Sequence, residues 1–279
     1  MPAPLRRPEA VLSTVLLSWN RPGLLRRALI SYRRATRSAA ELVVVDNGSD
    51  RETRTLLEGA ESAGLIDLAI FLPRNEGGLA LNYPLPHLNG RYVHFSENDV
   101  EYRSGWDVQL LAKFTAFPGL GQLSPFAPTP EAHMGEVWVE HEGRRLTSDG
   151  LEVFATGAGV GTTCVVRREV LEAGVTWSNI EAGEWRWPND GAFSAQVRER
   201  GFLVAWNDTY VATNWGHNLA EWQRDLPYYL AGYAAKRWVG TAGLERRLRQ
   251  AGHELVRGDH GEVVSIRPMT GGTGPAGHA

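Results

Sequence analysis

The sequence predicts an α/β protein built on a mainly parallel sheet with helices on both faces. Apolar runs of strand length recur along the first half of the chain, and segments of helical pattern separate them. Four such runs are VLSTVLLS (11–18), ELVVVD (41–46), LAIFLP (68–73) and YVHFS (92–96). Because these runs lack strict polar alternation, they indicate strands that are buried on both faces of a parallel sheet.

Composition limits the possible classes of function. The 279 residues are 43% hydrophobic, which is enough for one large core or two small ones. The formal net charge of -3 gives no support to a broad nucleic-acid-binding surface. Cys164 is the only cysteine, MPAPLRRPEA lacks the apolar core of a signal peptide, and no apolar run approaches the roughly 20 residues of a membrane span. We therefore expect a cytoplasmic protein without a membrane span.

Capping signals place helices after the first two strands. Asn20 is a helix-capping residue type, and Pro22 suits the first turn of the helix that follows. The DNG after the second strand is also a hairpin signal. However, Ser49 and Glu52 have the spacing of a capping box before RETRTLLEGAESAG, so we predict a turn from strand to helix.

The second half has a different organisation. EVWVEHEGRRLTSDGLEVF predicts a hairpin, WSNIEAGEWRWPND predicts a Trp-rich loop, and GAFSAQVRERG predicts a helix. We expect an N-terminal extension (1–10), one domain (11–218), a C-terminal helical extension with a short terminal segment (219–268) that Pro227 interrupts, and a tail of disordered composition (269–279).

Polar clusters follow three of the predicted strands. They are SWNR (18–21), DNGSD (46–50) and SEND (96–99). In open α/β sheets, ligands bind outside the carboxyl ends of the strands. The sequence therefore predicts that these distant segments form one binding site.

Taken in order, these segments resemble the family-2 glycosyltransferases of the GT-A fold, a Rossmann-like α/β fold, over roughly residues 11 to 217. VLLSWNRPGLLRRAL resembles the opening strand and helix, and ELVVVDNGSD resembles the nucleotide-binding strand end. NEGGLALN followed by GRYVHFSENDV is similar to the third block, especially in the rhamnosyltransferase-like branch. GAGVGTTCVVRREVLEAGV resembles the glycine-rich segment, and NDGAFSAQVRERGF resembles the block with the acceptor base.

The resemblance implies the activity. It implies transfer of a hexosyl or deoxyhexosyl group from a UDP- or dTDP-sugar to an acceptor hydroxyl, with inversion by a single displacement. It also implies Mg²⁺ or Mn²⁺, since a divalent cation stabilises the negative charge that grows on the leaving diphosphate. The sugar, the acceptor and the oligomeric state stay open.

The metal ligands are expected at the end of the fourth strand. Mg²⁺ and Mn²⁺ take oxygen ligands, commonly one or two carboxylates with phosphates and water. Asp99 is the expected carboxylate ligand, with Glu97 in support, and Glu97 and Asn98 are alternatively contacts of the ribose or of a metal-bound water. His217 lies where the family often has a late histidine, so it is either a metal or phosphate ligand or a structural residue.

Recognition of the donor nucleotide is expected at the first two strand ends. A carboxylate accepts the N3–H of uracil or thymine, and an amide serves donors and acceptors alike. Asp46 and Asn47 are therefore expected to read the base, although both are also turn formers. Trp19 either stacks on a pyrimidine or is simply buried. The other expected donor contacts are Ser18, Asn20, Arg21, Asn75 and Gly77.

The expected catalytic base is Asp190, which would take the proton of the attacking hydroxyl. The alternative is that Asp190 only caps the helix that it precedes. The expected sugar and acceptor pocket consists of Gly157, Ala158, Trp185, Trp187 and Asn189. For each of the tryptophans, packing in a core or a lid is the alternative. His94 and Cys164 lie within predicted strands and are expected to be buried structural residues.

The chain departs from the family pattern at three points. Glu97 stands where the metal motif usually opens with Asp or Asn, and Asn189 stands where the base block usually has Glu. Pro84 and Pro86 argue against a helix that the family usually has. Two other functions therefore stay open: a non-catalytic nucleotide-sugar or glycan-binding protein, and a nucleotidyltransferase. The latter ranks lower because SWNRPG lacks the usual Gly-rich loop with Arg and Lys.

Overall fold

The computed structural model describes residues 10–129, 140–183, 185–236 and 239–269. These residues belong to two compact units. Those of the first lie within Met1–Pro128, His141–Glu181 and Arg186–Thr213, and those of the second lie within Thr129–Glu140, Ala182–Trp185 and Asn214–Ala279. The predicted N-terminal extension lies outside the described residues except for Ala10, and so does the predicted tail except for Met269.

Helices and strands alternate through the first half of the chain. The α-helices are α1 (Pro22–Ala35), α2 (Arg51–Ser62), α3 (Trp106–Ala116), α4 (Arg168–Glu172), α5 (Asp190–Glu199), α6 (Leu219–Arg224), α7 (Leu226–Ala235) and α8 (Gly240–Gln250). The strands are β1 (Leu12–Ser18), β2 (Ala40–Asp46), β3 (Leu68–Phe71), β4 (Tyr92–Glu97), β5 (Val100–Tyr102), β6 (Leu120–Leu123), β7 (Arg144–Ser148), β8 (Leu151–Ala155), β9 (Cys164–Arg167), β10 (Asn179–Ala182), β11 (Trp185–Pro188), β12 (Leu203–Asn207), β13 (Ala212–Asn214), β14 (His253–Arg257) and β15 (Val263–Pro268).

A nine-stranded sheet of order β3-β2-β1-β4-β9-β6-β12-β8-β7 forms the centre of the first unit. The first four strands in this order are parallel, and so are β6 and β12. Strand β9 runs antiparallel between β4 and β6, and β8 runs antiparallel between β12 and β7. Only β8 and β9 oppose the other seven strands, which confirms the predicted mainly parallel α/β sheet.

Burial explains why the first strands read as continuous apolar runs. Every residue of β1 and β2 is buried. The side chains that cover the sheet include large aromatic groups such as Trp177, whose ring stacks on Phe193 at 4.0 Å between centroids. Parallel strands covered on both faces have no solvent side, so polar alternation is absent.

Two helix starts differ from the prediction. Helix α1 begins after Arg21 without a side-chain cap, and the Asn20 side chain instead accepts from the Asp50 N–H at 2.9 Å. The cap of α2 is Asp50, which accepts from the Thr53 N–H at 2.8 Å, whereas Ser49 Oγ accepts from the Asn20 N–H at 2.8 Å. The predicted capping roles of Asn20 and Ser49 were wrong because both side chains join the loops after β1 and β2.

Three other segments refine the prediction. The predicted Trp-rich loop contains a two-stranded hairpin, β10 and β11. The segment with Pro84 and Pro86 has two short 3-10 turns, Gly77–Asn82 and Leu85–His87, as expected from prolines that interrupt a helix. The short terminal segment after residue 252 is the β14–β15 hairpin.

The second unit has its own apolar core. Its helices α6 to α8 agree with the predicted helical extension, and Pro227 lies in the first turn of α7, where a missing N–H is tolerated. The buried residues of this core are Trp222, Leu226, Tyr229, Tyr233, Leu244, Leu248 and Ile266. None of the helices in the described ranges is long and apolar enough to cross a bilayer.

His94, in strand β4 of the sheet, is fully buried, as the sequence predicts. Its Nδ1 lies 3.3 Å from Thr14 Oγ1, and its ring packs at 4.5 Å from that of Trp106 and 5.6 Å from that of Tyr102. Burial among these groups lowers the pKa of His94 from 6.5 to about 3. The imidazole is therefore neutral at pH 7 and belongs to the packed core.

This buried histidine predicts a pH-dependent stability. As the pH falls below 6.5, the unfolded chain binds a proton that His94 in the folded chain does not bind until about pH 3. The free energy of unfolding should therefore fall through this window, by ~2 kcal/mol between pH 6.5 and pH 5. Urea unfolding at pH 7 and pH 5 measures the difference, which His94→Asn should reduce and the control His87→Asn should leave in place. If the free energy of unfolding of His94→Asn still differed as much between pH 7 and pH 5, the pH dependence would not come from His94.

Candidate functional site

The register of the sheet brings the three polar clusters to one edge. Ser18 of β1 is aligned with Asp46 of β2, and Leu17 of β1 is aligned with Glu97 of β4. The loops that follow these strands therefore start at the same level. SWNR lies in the middle, between DNGSD and SEND.

Asn98 connects the loop after β4 to the loop after β1. Its side-chain Nδ2 donates to the backbone oxygens of Trp19 at 3.3 Å and Asn20 at 2.8 Å. Its Oδ1 accepts from the guanidinium of Arg21 at 2.7 Å. Both ends of the Asn98 amide thus hold the chain at residues 19–21.

Two adjacent residues of this loop have left-handed backbone conformations. Asn20 has φ 53° and Arg21 has φ 57°. This conformation costs about 1–2 kcal/mol for a residue such as Arg21 and less for an asparagine, so contacts on both sides hold the segment. Asn98 supplies them on one side, and Ser49 and Asp50 supply them on the other. Strain of this kind concentrates at ligand sites.

Asp99 carries the central charge of the SEND cluster. Its Oδ2 lies 3.0 Å from the guanidinium of Arg21, and the two side chains are only 10% and 15% exposed. Its Oδ1 is buried and has no hydrogen-bond partner among the described residues. Glu97, the last residue of β4, is partly buried. One oxygen of Asp99 is therefore compensated by the protein and the other is not.

Asp46 resembles Asp99 in that the protein binds only one of its two carboxylate oxygens among the described residues. It is fully buried at the end of β2, and its Oδ2 accepts from Arg54 Nε at 3.1 Å and from the Ser49 N–H at 3.3 Å. Its Oδ1 has no hydrogen-bond partner among the described residues, and neither has the buried Ser18 Oγ. The base-reading role of Asp46 stays a prediction, but an acceptor oxygen is present for it.

Asn47 contacts the segment after β3. Its Nδ2 donates to Asn75 Oδ1 at 2.9 Å and to the Gly77 oxygen at 3.2 Å, and its Oδ1 accepts from the Glu76 N–H at 2.7 Å. Gly77 has φ 61°, and a Cβ there would lie 2.6 Å from Asn179 Oδ1, so glycine is required. The Asn47 amide therefore positions residues 75–77, and its contact with a base stays a prediction.

Asp190 is the first residue of α5, and Asn189 is the cap. Asn189 Oδ1 accepts from the Ala192 N–H at 3.0 Å, so the capping alternative for Asp190 was wrong. Burial, and secondarily the charge of Asp190, raises the pKa of the buried Cys164 to about 12. Cys164 is aligned with Phe95, two residues before Glu97. Phe193 of α5 packs against Phe95 of β4 at 5.7 Å between ring centroids, so the first turn of α5, which starts at Asp190, lies beside β4.

The glycine-rich segment packs against the start of α5. A Cβ at Gly159 would lie 3.0 Å from the Cα of Gly191, whereas Gly157 faces open space. The oxygen of Ala158 accepts from Arg198 at 2.8 Å. Gly157 and Ala158 are exposed, and their pocket role stays a prediction.

The tryptophans have different surroundings. Trp177 is buried against Phe193. Trp187 is partly buried in the first unit. Trp185 and His217 belong to the second unit, where the Trp185 ring contacts that of Tyr228 at 6.2 Å. For Trp185, Trp187 and His217, site membership stays a prediction.

Sequence reasoning missed Arg54, which pairs with Asp46, and it gave Ser49 a capping role instead of its contact with the backbone of Asn20. Both lie in or just before the first turn of α2. Their proximity to a strand end is the signal that could have identified them, since that turn must approach the same sheet edge.

The fold and the strand-end carboxylates define a GT-A type α/β protein. Residues 13–174, more than half of the chain, match the sequence model of glycosyl transferase family 2. The chain therefore belongs to this family. No curated protein matches the sequence.

Solved structures of the same fold have low sequence identity to this chain. GalNAc-T7 with UDP, GalNAc and Mn²⁺ has a TM-score of 0.54 and 17% identity, over 72% of this chain and 43% of that one. Residues 1–349 of S. aureus TarS in complex with UDP-GlcNAc have a TM-score of 0.51 and 17% identity, over 72% of this chain and 57% of that one. S. aureus TarS has a TM-score of 0.52 and 15% identity, over 86% of this chain and 42% of that one. The chain thus covers about half of these structures.

The contacts of Asn47 predict a local effect of its removal. Asn47→Ala should lower the free energy of unfolding by ~2–3 kcal/mol, because three hydrogen bonds are lost and buried partners stay unsatisfied. Hydrogen exchange should also speed up at the Glu76 N–H, which loses its acceptor. The matched control is Asn82→Ala, which removes two contacts with Trp177 and should leave exchange at Glu76 unchanged. Equal exchange at Glu76 in both variants would refute the positioning role.

Proposed function

We propose that this protein transfers a sugar from a pyrimidine nucleoside-diphosphate donor to an acceptor hydroxyl. Two buried carboxylate oxygens carry the proposal. Asp46 Oδ1 and Asp99 Oδ1 have no hydrogen-bond partner within the described part of the chain, and both lie at strand ends of a family-2 glycosyltransferase. The uridine nucleotides named in the GalNAc-T7 and TarS structures support a UDP- or dTDP-sugar. A hexosyl or deoxyhexosyl group and a rhamnosyltransferase-like relationship are part of the proposal.

The base of the donor is proposed to bind at the end of β2. Arg54 and the Ser49 N–H hold Asp46 Oδ2, so Oδ1 is presented in a fixed position. An uncompensated buried acceptor is costly, and the N3–H of uracil or thymine would satisfy it. The other proposed donor contacts at this end of the sheet are Ser18, Trp19, Asn20, Asn47, Asn75 and Gly77.

The diphosphate is proposed to bind at the end of β4. Among the described residues, no group of three or more His, Cys, Asp or Glu side chains is arranged to hold a metal. A Mg²⁺ or Mn²⁺ ion needs only one or two carboxylates when phosphate oxygens complete its shell, and Asp99 Oδ1 fits that requirement. Asp99 would hold the ion with Glu97, and Asn98 is a further proposed contact. When bound, the ion neutralises charge on the leaving diphosphate.

Asp190 is proposed to deprotonate the acceptor hydroxyl. Because Asn189 already caps α5, the carboxylate of Asp190 is not needed for that role. The packing of Phe193 of α5 on Phe95 of β4 supports a position near the β4 end, where the donor sugar is proposed to lie. Attack on the face opposite the leaving diphosphate would invert the anomeric centre. The proposed sugar and acceptor pocket contains Gly157, Ala158, Trp187 and Asn189.

The organisation of the chain is part of the proposal. We infer a GT-A domain at 11–218 and a C-terminal extension at 219–268. The buried, single Cys164 supports a reducing, cytoplasmic location.

Donor binding tests the nucleotide and metal assignments. Calorimetry with UDP, dTDP, GDP and CDP, each with Mn²⁺ and with EDTA, should give metal-dependent binding of a pyrimidine diphosphate. Asp99→Asn should weaken the Mn²⁺-dependent binding by about tenfold or more, because the carboxylate ligand is lost. Asp149→Asn, on the exposed turn between β7 and β8, is the control.

Two outcomes would contradict this prediction. Unchanged Mn²⁺-dependent affinity in Asp99→Asn would reject the metal ligand. Failure of all four nucleotides to bind would reject the donor class.

Asp190→Asn tests the catalytic base. Release of UDP from UDP-sugars should fall by about 10²–10⁴-fold across a panel of acceptors, whereas donor affinity should be unchanged. Glu199→Gln, at the other end of α5, is the matched control. Near-normal turnover in Asp190→Asn would mean that another group is the base. Donor binding by the unaltered protein without turnover of any acceptor would favour the non-catalytic binding protein instead.

A further inference from the structure

We infer that Arg21 is an internal counter-ion of Asp99, so that a divalent cation binds this carboxylate strongly only together with the diphosphate of the donor. The inference rests on the proposed function, because it concerns the same metal and the same donor. It adds a residue that determines when the metal binds.

The contact that carries the inference is short and shielded from solvent. The Arg21 guanidinium lies 3.0 Å from Asp99 Oδ2 and donates to Asn98 Oδ1 at 2.7 Å. The Arg21 side chain is 15% exposed and that of Asp99 is 10% exposed. Salt screens a pair in such surroundings less than it screens a surface pair. In the absence of another cation, the Arg21 guanidinium therefore compensates the charge of the Asp99 carboxylate.

The backbone holds Arg21 in this position. Asn98 binds the backbone oxygens of Trp19 and Asn20, and Asn20 binds Ser49 and the Asp50 N–H. Arg21 itself has a left-handed φ of 57°. Since these contacts come from the protein alone, the ion pair is already formed without a donor.

A metal ion that approaches Asp99 Oδ1 meets this positive charge. The positive charge of Arg21 offsets the negative charge of Asp99 at the end of β4. Repulsion by the guanidinium should therefore weaken the binding of Mn²⁺ alone. A bound diphosphate should make metal binding favourable despite this repulsion. Its negative charges attract the ion, and its oxygens also accept hydrogen bonds from the guanidinium.

Metal and diphosphate should consequently bind with positive coupling. By thermodynamic linkage, the diphosphate strengthens metal binding by the same factor by which the metal strengthens diphosphate binding. Removal of the Arg21 charge should reduce this coupling mainly by improving the binding of the metal alone. A purely structural role of Arg21 would not have that effect.

The test measures Mn²⁺ binding to the full chain by electron paramagnetic resonance of free Mn²⁺, without nucleotide and with UDP. Binding of Mn²⁺ by UDP itself is subtracted. UDP should tighten Mn²⁺ binding to the unaltered protein by about tenfold or more. Arg21→Met and Arg21→Gln should bind Mn²⁺ without UDP about tenfold more tightly than the unaltered protein.

Three controls make the result specific. Arg21→Lys keeps the charge and should bind Mn²⁺ as weakly as the unaltered protein. Arg27→Met changes the net charge equally, but Arg27 pairs with Glu101 at 3.8 Å, so Mn²⁺ binding should not change. Because Arg21→Met leaves Asp99 without its partner, circular dichroism must show that it folds, and Arg21→Gln retains an N–H donor if it does not.

Each outcome is decisive. Unchanged affinity for Mn²⁺ alone in a folded Arg21→Gln or Arg21→Met would overturn the inference. Equal Mn²⁺ affinity of the unaltered protein with and without UDP would also overturn it. Calorimetry of UDP separates this failure from failure of the proposed function: if UDP does not bind any variant, the donor assignment fails, whereas UDP binding with unaltered metal affinity refutes only the role of Arg21.

Discussion

The candidate site depends on one constraint: residues 19–21 must pass between the loops after β2 and β4, with left-handed backbone conformations at Asn20 and Arg21. Asn98 holds this segment from one side through two backbone oxygens and Arg21, and Ser49 and Asp50 hold Asn20 from the other. Parallel pairing of β1 with both neighbours puts the three loops at the same level. The strain of Asn20 and Arg21 is therefore compensated by contacts that exist only when all three strands are in register.

In the same arrangement, each of the two strand-end carboxylates has one oxygen bound by the protein and one oxygen available to a ligand. Arg54 holds one oxygen of Asp46, and Arg21 holds one oxygen of Asp99, while the second oxygen of each is buried without a partner among the described residues. An arginine beside each carboxylate lowers the cost of burying its charge. Part of the free-energy cost of burial remains because the second oxygen has no partner among the described residues, and a ligand that donates a hydrogen bond or binds there as a cation can remove it. The site is thus arranged before any donor binds, which reduces the ordering that binding requires.

The sequence predicted the fold well because burial on both faces leaves a direct pattern in it. The runs that became β1, β2 and β4 are apolar at nearly every position, and the helices between them carry amphipathic patterns. Side chains with several possible partners were predicted poorly. Asn20 and Ser49 have good capping signals, but tertiary hydrogen bonds compete with the helix end and win. For Asp190 and Asn189, a shift of one residue decides which of them caps α5.

By itself the sequence determined the α/β class, the positions of the main strands, and the three polar clusters at their carboxyl ends. These features follow from local patterns of burial and from a rule about open sheets that needs no coordinates. Only the tertiary structure decided that Arg21 pairs with Asp99, that Arg54 pairs with Asp46, and that the Asn47 amide contacts residues 75–77. The reason is physical: a charged or amide side chain bonds to whichever partner the register places within about 3 Å, and sequence separation carries no information about that distance.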